Sequence, residues 1–171
     1  MEWIFIAPHL DDVVLSCGGL LRDLNQQGDS TSVWTICAGD PPEGSLSPLA
    51  EMLHQRWGTG RSAARLRREE DIVACKKVGA AYRHFSVPDC IYRRDPTNHA
   101  PLYHSEKDIF GPLAQADEAL IERLSIDLVA EFKPNIRIVS PLAIGDHVDH
   151  RLVRQALEKT SYLWWYYADN H

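Results

Sequence analysis

The chain has 171 residues, of which 44% are hydrophobic and 25% are charged, as is typical of a globular protein with an ordinary core. Its formal net charge of −6 argues against non-specific nucleic-acid binding, because such binding needs a basic face. No apolar run approaches the ~20 residues of a membrane span, and the N-terminal segment has neither the charged start nor the length of a secretory signal.

Short apolar segments alternate along the chain with longer segments of helical periodicity. The predicted order is strand 3–7, helix 13–27, strand 31–38, helix 61–79, strand 82–87, helix 115–133, strand 136–141, helix 150–160 and strand 162–167. Strands that alternate with helices predict an α/β fold, in which helices cover both faces of a mostly parallel central sheet. With no repeat and no linker, residues 1–171 are predicted to form a single-domain, Rossmann-like sandwich.

Two long connections, 39–60 and 88–112, each follow a predicted strand. One interpretation is surface decoration, with a short helix at Leu49–Trp57 in the first connection. The other is that both connections form the walls of a substrate pocket, because loops of this length are often functional and ligands bind at the carboxyl ends of parallel strands. The sequence leaves both interpretations open.

Histidines and aspartates cluster directly after two of the predicted strands. "PHLDD" follows the first strand and "GDHVDHR" follows the fourth. The carboxyl ends of parallel strands lie at one edge of a sheet, so the two clusters can converge on one point, and imidazole and carboxylate ligands suit zinc. The alternative is that Asp11 or Asp12 caps the next helix and Asp149 caps the later one. The i, i+3 spacing does not choose between His147 and His150 as a ligand.

The cysteines and the remaining histidines do not show a spacing that is typical of metal ligands. The scattered cysteines predict free thiols in the reducing cytoplasm; they are Cys17, Cys37, Cys75 and Cys90. Five further histidines are predicted to be surface or loop residues: His54, His84, His99, His104 and His171.

The two clusters resemble the signature motifs of the LmbE/PIG-L family of zinc-dependent N-deacetylases, whose members remove acetyl from N-acetylglucosamine-type conjugates. The resemblance extends to "RREEDIVACKKVG", with Arg67 and Glu70 in the family's R-x-x-E positions, to "FSVPD" and to "LWWYYAD". Two features depart from the family pattern. Val13 stands where many relatives have Glu, and the sequence ends at His171, where relatives usually continue and build more of the pocket.

The resemblance implies a role for each motif residue. His9, Asp12 and His150 would bind Zn²⁺, with Fe²⁺ as an alternative metal. Asp11 would be the general base that takes a proton from the zinc-bound water.

Further roles follow from the same resemblance. His147 would polarise the acetyl carbonyl, stabilise the oxyanion or protonate the leaving amine, and Asp149 would orient an imidazole. Arg67 and Asp89 would contact the polar substrate, although Arg67 also fits a solvated helix charge and Asp89 a Pro–Asp turn.

The predicted function is therefore a cytoplasmic zinc-dependent hydrolase that deacetylates a small amino-sugar conjugate, with no nucleic-acid or membrane partner; a homo-oligomer is left open. One alternative is another His/Asp metal hydrolase, such as a phosphoesterase. It would favour a second metal, for which Asp40 and Asp146 are the spare acids. The other is a non-catalytic metal-binding domain, which would be expected to lack Asp11 or His147.

Overall fold

Five parallel strands form one sheet in the part of the chain that a computed structural model describes, namely residues 1–58, 60–162 and 164–169. The strands are β1 (Glu2–Ala7), β2 (Ser30–Thr35), β3 (Ala81–His84), β4 (Ile136–Pro141) and β5 (Trp164–Tyr167). Their order across the sheet is β3-β2-β1-β4-β5, so the chain reverses its direction of winding at β1. Such a reversal leaves a crevice at the carboxyl ends of β1 and β4.

Helices connect the strands and cover both faces of the sheet. They are α1 (Asp12–Gln26), α2 (Pro48–Trp57), α3 (Ala63–Val78), α4 (Glu106–Ile109), α5 (Glu118–Glu131) and α6 (Val148–Glu158). Short 3-10 turns at 60–62, 90–92 and 115–117 lie between them. The predicted α/β fold is confirmed, and the short helix considered for the first long connection exists as α2.

The residues of β1 show how the two faces are built. Ile4 and Ile6 point to one face and pack in a cluster with residues of α5 and α6, such as Leu128. Phe5 and Ala7 point to the other face and pack with residues of α1 and α3. Burial of a Phe or Ile side chain contributes roughly 1.5–3 kcal/mol, so the strict alternation of β1 fixes its register between the two layers.

Strands β2 and β3 end earlier than the sequence predicts, at Thr35 and His84 instead of positions 38 and 87. Beyond them the two segments are joined by an isolated antiparallel bridge between Cys37 and Ser86. Gly39 then approaches so closely that an added Cβ would lie 2.5 Å from the Ser86 carbonyl oxygen. The two long connections begin just beyond this close approach.

The two long connections pack on each other and have a core of their own. Residues of α2 contact residues of the second connection and Val148 at the start of α6; the cluster contains Leu49, Ala50, Leu53, Cys90, Ile91, Tyr92, Tyr103, Ile109 and Val148. His54 is 5% exposed here and lies 2.5 Å from the Tyr92 hydroxyl. The surface prediction for His54 is therefore wrong, because α2 packs against the second long connection.

The other predictions for isolated residues have mixed outcomes. His84 is also not a surface residue, because its largely buried ring is bonded to Asp71. His99 and His104 are exposed, as predicted, and His171 lies outside the described residues. All four cysteines are free and buried. None of the described helices is both long and apolar enough to cross a membrane.

Candidate metal and substrate site

The two His/Asp clusters meet at the crevice between the neighbouring strands β1 and β4. Residues 8–11 connect β1 to α1, which begins at Asp12, and residues 142–147 connect β4 to α6. His9 is 7% exposed and His150 is 1% exposed, although the crevice itself opens to solvent. The predicted convergence of the clusters is therefore present.

Three side-chain atoms face one another at the centre of this site. His150 Nε2 lies 3.3 Å from His9 Nδ1 and 3.4 Å from Asp12 Oδ2, and His9 Nδ1 lies 3.8 Å from Asp12 Oδ2. A tetrahedral zinc ion with bonds of about 2.0–2.1 Å holds its ligand atoms about 3.4 Å apart. The spacing and the donor chemistry of these three residues therefore fit one divalent metal ion.

The opposite nitrogen of each imidazole is held by a buried acid. His9 Nε2 lies 2.8 Å from Asp149 Oδ2, and His150 Nδ1 is bonded to Asp169 Oδ2. Histidines that bind metals usually donate their other ring N–H to a carboxylate in this way, which fixes the tautomer and the ring orientation. Asp169 was missed by sequence reasoning; the only signal for it is its place at the end of "LWWYYAD".

Three carboxylates surround His9. Burial lowers the pKa of His9, but Asp149, Asp12 and Asp89 outweigh that effect and raise the pKa to about 9. The centre of the site thus carries an excess of negative charge, which favours a bound cation.

His147 is a further histidine at the same centre. One ring nitrogen from each of His9, His147 and His150 lies within 4.8 Å of the others. His147 differs from His150 in its support: its Nδ1 accepts a hydrogen bond of 3.2 Å from the backbone N–H of Asp149, which makes it the N-cap of α6. Cys90 is also near, and burial raises the pKa of its thiol well above the usual value.

The three acids that sequence analysis considered as helix caps have other roles. Asp11 precedes α1 but makes no side-chain capping bond, and Asp12 Oδ2 accepts the backbone N–H of His9 at 2.7 Å. Asp149 is fully buried and accepts the backbone N–H of Cys90 at 3.0 Å, as well as its bond to His9. The capping interpretation is therefore wrong for Asp11 and Asp149.

A pocket of about 390 Å³ opens above the candidate metal position. It is lined by His9, Asp11, Asp12, Leu15, Trp57, Arg67, Asp89 and His147. Trp57 comes from the first long connection and Asp89 from the second, so both connections form pocket walls. Trp57 was not predicted as a pocket residue, because it is the last residue of a short helix to which the sequence assigns no function.

Arg67 and Asp89 each have a structural contact besides their place in the pocket. Arg67 Nη2 donates to the Leu10 carbonyl at 3.1 Å and lies 3.8 Å from Asp11 Oδ1. Asp89 Oδ1 accepts the backbone N–H of Ile91 at 3.1 Å, which forms the turn that the sequence suggested.

A buried arginine behind the site was also missed. Arg93, in the second long connection, is 5% exposed; it is paired with Asp149 and donates through Nη2 to Asp117 Oδ2 at 3.0 Å. The Tyr103 hydroxyl donates to the same Asp117 oxygen at 2.6 Å. Burial raises the pKa of Asp149, but Arg93 and His9 outweigh that effect and hold the pKa well below its usual range. Asp149 is thus kept ionised where it orients His9.

Comparison with known proteins identifies a family model and relatives that are similar to this chain. The family model described as "PIG-L: GlcNAc-PI de-N-acetylase" matches residues 4–161. The chain is 34% identical to 2'-N-acetylparomamine deacetylase of Niallia circulans, over 90% of this chain and 60% of that protein.

Solved structures of deacetylases are also similar to this chain. The chain is similar to the deacetylase of the teicoplanin biosynthesis pathway in complex with teicoplanin, with a TM-score of 0.79 and 32% identity over 92% of this chain and 64% of the other. It is also similar to the zinc-inhibited form of teicoplanin deacetylase, with a TM-score of 0.79 and 33% identity over 92% of this chain and 62% of the other. The chain spans less than two thirds of the length of each of these relatives.

Proposed function

The chain belongs to the PIG-L (GlcNAc-PI de-N-acetylase) family, and from that membership we propose that it is a metal-dependent hydrolase that removes the N-acetyl group from an amino-sugar conjugate. Relatives with 32 to 34% identity are described as deacetylases of 2'-N-acetylparomamine or of the teicoplanin pathway. The observation that carries the proposal is the pair of buried histidines, each held from behind by an acid and each facing Asp12.

His9, Asp12 and His150 are the proposed ligands, and Zn²⁺ is the proposed metal, with Fe²⁺ as the alternative. A bound divalent ion supplies Lewis acidity, which makes water more acidic and polarises an amide carbonyl. Because one relative is described in a zinc-inhibited form, the choice of metal is to be tested by loading the protein with each ion.

Asp11 is the proposed general base. Asp11 lines the same pocket as the proposed ligands His9 and Asp12, and its side chain makes no helix-capping bond. Burial raises the pKa of Asp11, Arg67 lowers it, and the carboxylates of Asp12 and Asp71 raise it again, with a net upward shift. A carboxylate with a raised pKa is a stronger base for accepting the proton of the attacking water.

His147 is the proposed hydrogen-bond donor to the acetyl oxygen. A neutral imidazole whose Nδ1 accepts a hydrogen bond carries its proton on Nε2. That N–H would donate a hydrogen bond to the acetyl oxygen as negative charge develops there, and the leaving amine would take the proton that Asp11 accepts from the attacking water. Arg67 and Asp89 are proposed to bind hydroxyl groups of the sugar, since both line the same pocket.

The two alternative functions have less support. A second metal would need a second set of ligands, but the spare acids Asp40 and Asp146 are exposed, and Asp40 is paired with Arg68 at 2.6 Å. A non-catalytic metal domain would not need Asp11 and His147 together in the pocket wall.

The decisive experiment incubates the metal-loaded protein with a panel of N-acetylated amino-sugar conjugates and measures free amine and acetate. We expect equal amounts of both products from at least one conjugate, and release that is slower by roughly 10²-fold or more with Asp11→Asn. Release of phosphate from phosphoesters without any amine would support the phosphoesterase. Metal binding with no turnover of either class would support the non-catalytic domain.

A further inference from the structure

The backbone of Asp11 has an unusual conformation. Its φ of 76° and ψ of −18° lie in the left-handed region, which non-glycine residues rarely adopt. Such a conformation persists only where the surrounding structure holds it in place. The side chain of Asp11 makes no capping bond that would do so.

Helix α3 holds both ends of the peptide group that precedes Asp11. Arg67 Nη2 donates to the carbonyl oxygen of Leu10 at 3.1 Å, and Asp71 Oδ1 accepts the backbone N–H of Asp11 at 3.0 Å. The carbonyl and the N–H belong to the same peptide plane, and Arg67 and Asp71 are one helical turn apart. The Arg67 guanidinium lies at the negative end of the peptide dipole, and the Asp71 carboxylate lies at its positive end. Both contacts therefore favour the same orientation of the peptide plane.

Asp71 is itself held by a second partner. It is 2% exposed, and its other carboxylate oxygen lies 2.8 Å from Nε2 of His84, at the end of β3. A carboxylate buried to this extent needs hydrogen-bonded partners. His84 and the Asp11 amide supply them, so Asp71 is fixed between the end of β3 and the first aspartate of "PHLDD".

We propose that Asp71 is a positioning residue for Asp11, acting through the Leu10–Asp11 peptide, and that His84 holds Asp71 in place. The role assigned to Asp71 rests on the proposed function of Asp11 as a base. Fixing the peptide plane fixes φ of Asp11, and φ decides whether its carboxylate points into the pocket while the carboxylate of Asp12 points to the metal. The loss of this contact should therefore lower kcat and leave the metal ligands intact.

The test compares two replacements of similar shape. Asp71→Leu removes the acceptor, and Asp71→Asn keeps an oxygen that can accept the Asp11 amide. We expect Asp71→Leu to lower kcat by about 10- to 100-fold, as small misplacements of a catalytic group do, with little change in KM or bound metal. Asp71→Asn should restore most of the rate. Glu69→Gln is the matched control, because Glu69 is an exposed acid of the same helix whose partner is Arg65.

Two further measurements separate positioning from general structural damage. In the ¹H–¹⁵N spectrum of the zinc-loaded protein, the amide proton of Asp11 should move upfield in Asp71→Leu, which has no acceptor, and less in Asp71→Asn, which keeps an acceptor oxygen. In an Asp11→Asn background, Asp71→Leu should cause no additional loss of rate, since the residue acts through Asp11.

The proposal is overturned if Asp71→Leu retains the parental kcat, if Asp71→Asn loses as much as Asp71→Leu, or if the loss persists in the Asp11→Asn background. Should Asp71→Leu not fold, the same comparison is made between Asp71→Ala and Asp71→Asn. A parent protein without deacetylase activity would instead refute the proposed function. In that case the Asp11 amide resonance tests only the hydrogen bond between the Asp11 amide and Asp71. A shift of that resonance in Asp71→Leu supports the bond, and an unchanged resonance overturns it.

Discussion

Asp149→Asn is the substitution that probes the support of the metal site most severely. Asp149 is fully buried and binds three donors, namely His9, the Cys90 backbone N–H and Arg93. The asparagine side chain has the same shape but no charge. The change therefore removes the charge that orients His9, while Asp117 stays an ionic partner of Arg93.

Two magnitudes follow from these contacts. Removing one member of a buried ion pair costs about 3–5 kcal/mol, and we expect the lower end, about 3 kcal/mol, because Asp117 still compensates Arg93. Removing the acid behind a metal-binding histidine weakens metal affinity by about 10- to 100-fold. The loss of folding free energy is expected in the metal-free protein. The loss of metal affinity lowers the stability further when metal is present.

Chemical denaturation of the metal-free protein measures the loss of folding free energy. Competition with a chelator of known affinity measures the loss of metal affinity. Glu131→Gln is the control, because Glu131 forms an exposed pair with Arg83 at 2.8 Å and should contribute at most about 1 kcal/mol. A loss of less than 1 kcal/mol in Asp149→Asn, together with parental metal affinity, would refute the role assigned to Asp149.

The remaining predictions concern the ligands, the base and the pocket. His150→Ala and Asp12→Asn should each abolish stoichiometric metal binding, as elemental analysis would show; full retention in His150→Ala would point to another ligand. Asp11→Asn should keep the metal and lose roughly 10²-fold or more in kcat, so a normal kcat would remove Asp11 from the chemistry. Arg67→Ala should raise KM and also lower kcat, because Arg67 both lines the pocket and holds the Leu10 carbonyl; unchanged kinetics with normal stability would leave it a solvated helix charge.

The order of elements could be predicted from sequence because it depends on local patterns. The apolar run at 3–7 and the helical periodicity of 13–27 and 61–79 predict β1, α1 and α3, whose observed ends differ by at most two residues. The convergence of the two His/Asp clusters could also be predicted, since both follow strands of one parallel sheet. Placing the two clusters next to each other required only that β1 and β4 be neighbours, as they are.

The supporting residues could not be predicted, because each depends on a contact distant in sequence. Asp71 meets Asp11 across 60 residues, and Arg93 meets Asp149 across 56 residues. Nothing near an aspartate or arginine in the sequence shows whether it is buried with a partner or exposed to water. His84 was misjudged for the same reason, since the Asp71 that buries it belongs to the preceding helix.

The most direct test of the account is the rate of acetate release as a function of bound metal. The purified protein is stripped with a chelator and then titrated with Zn²⁺ or Fe²⁺, and acetate release from an N-acetylated amino-sugar conjugate is measured at each metal-to-chain ratio. The account predicts no release from the stripped protein and a rate that rises linearly up to one metal ion per chain. Full activity in the stripped protein, or a rise that continues to two metal ions per chain, would contradict it.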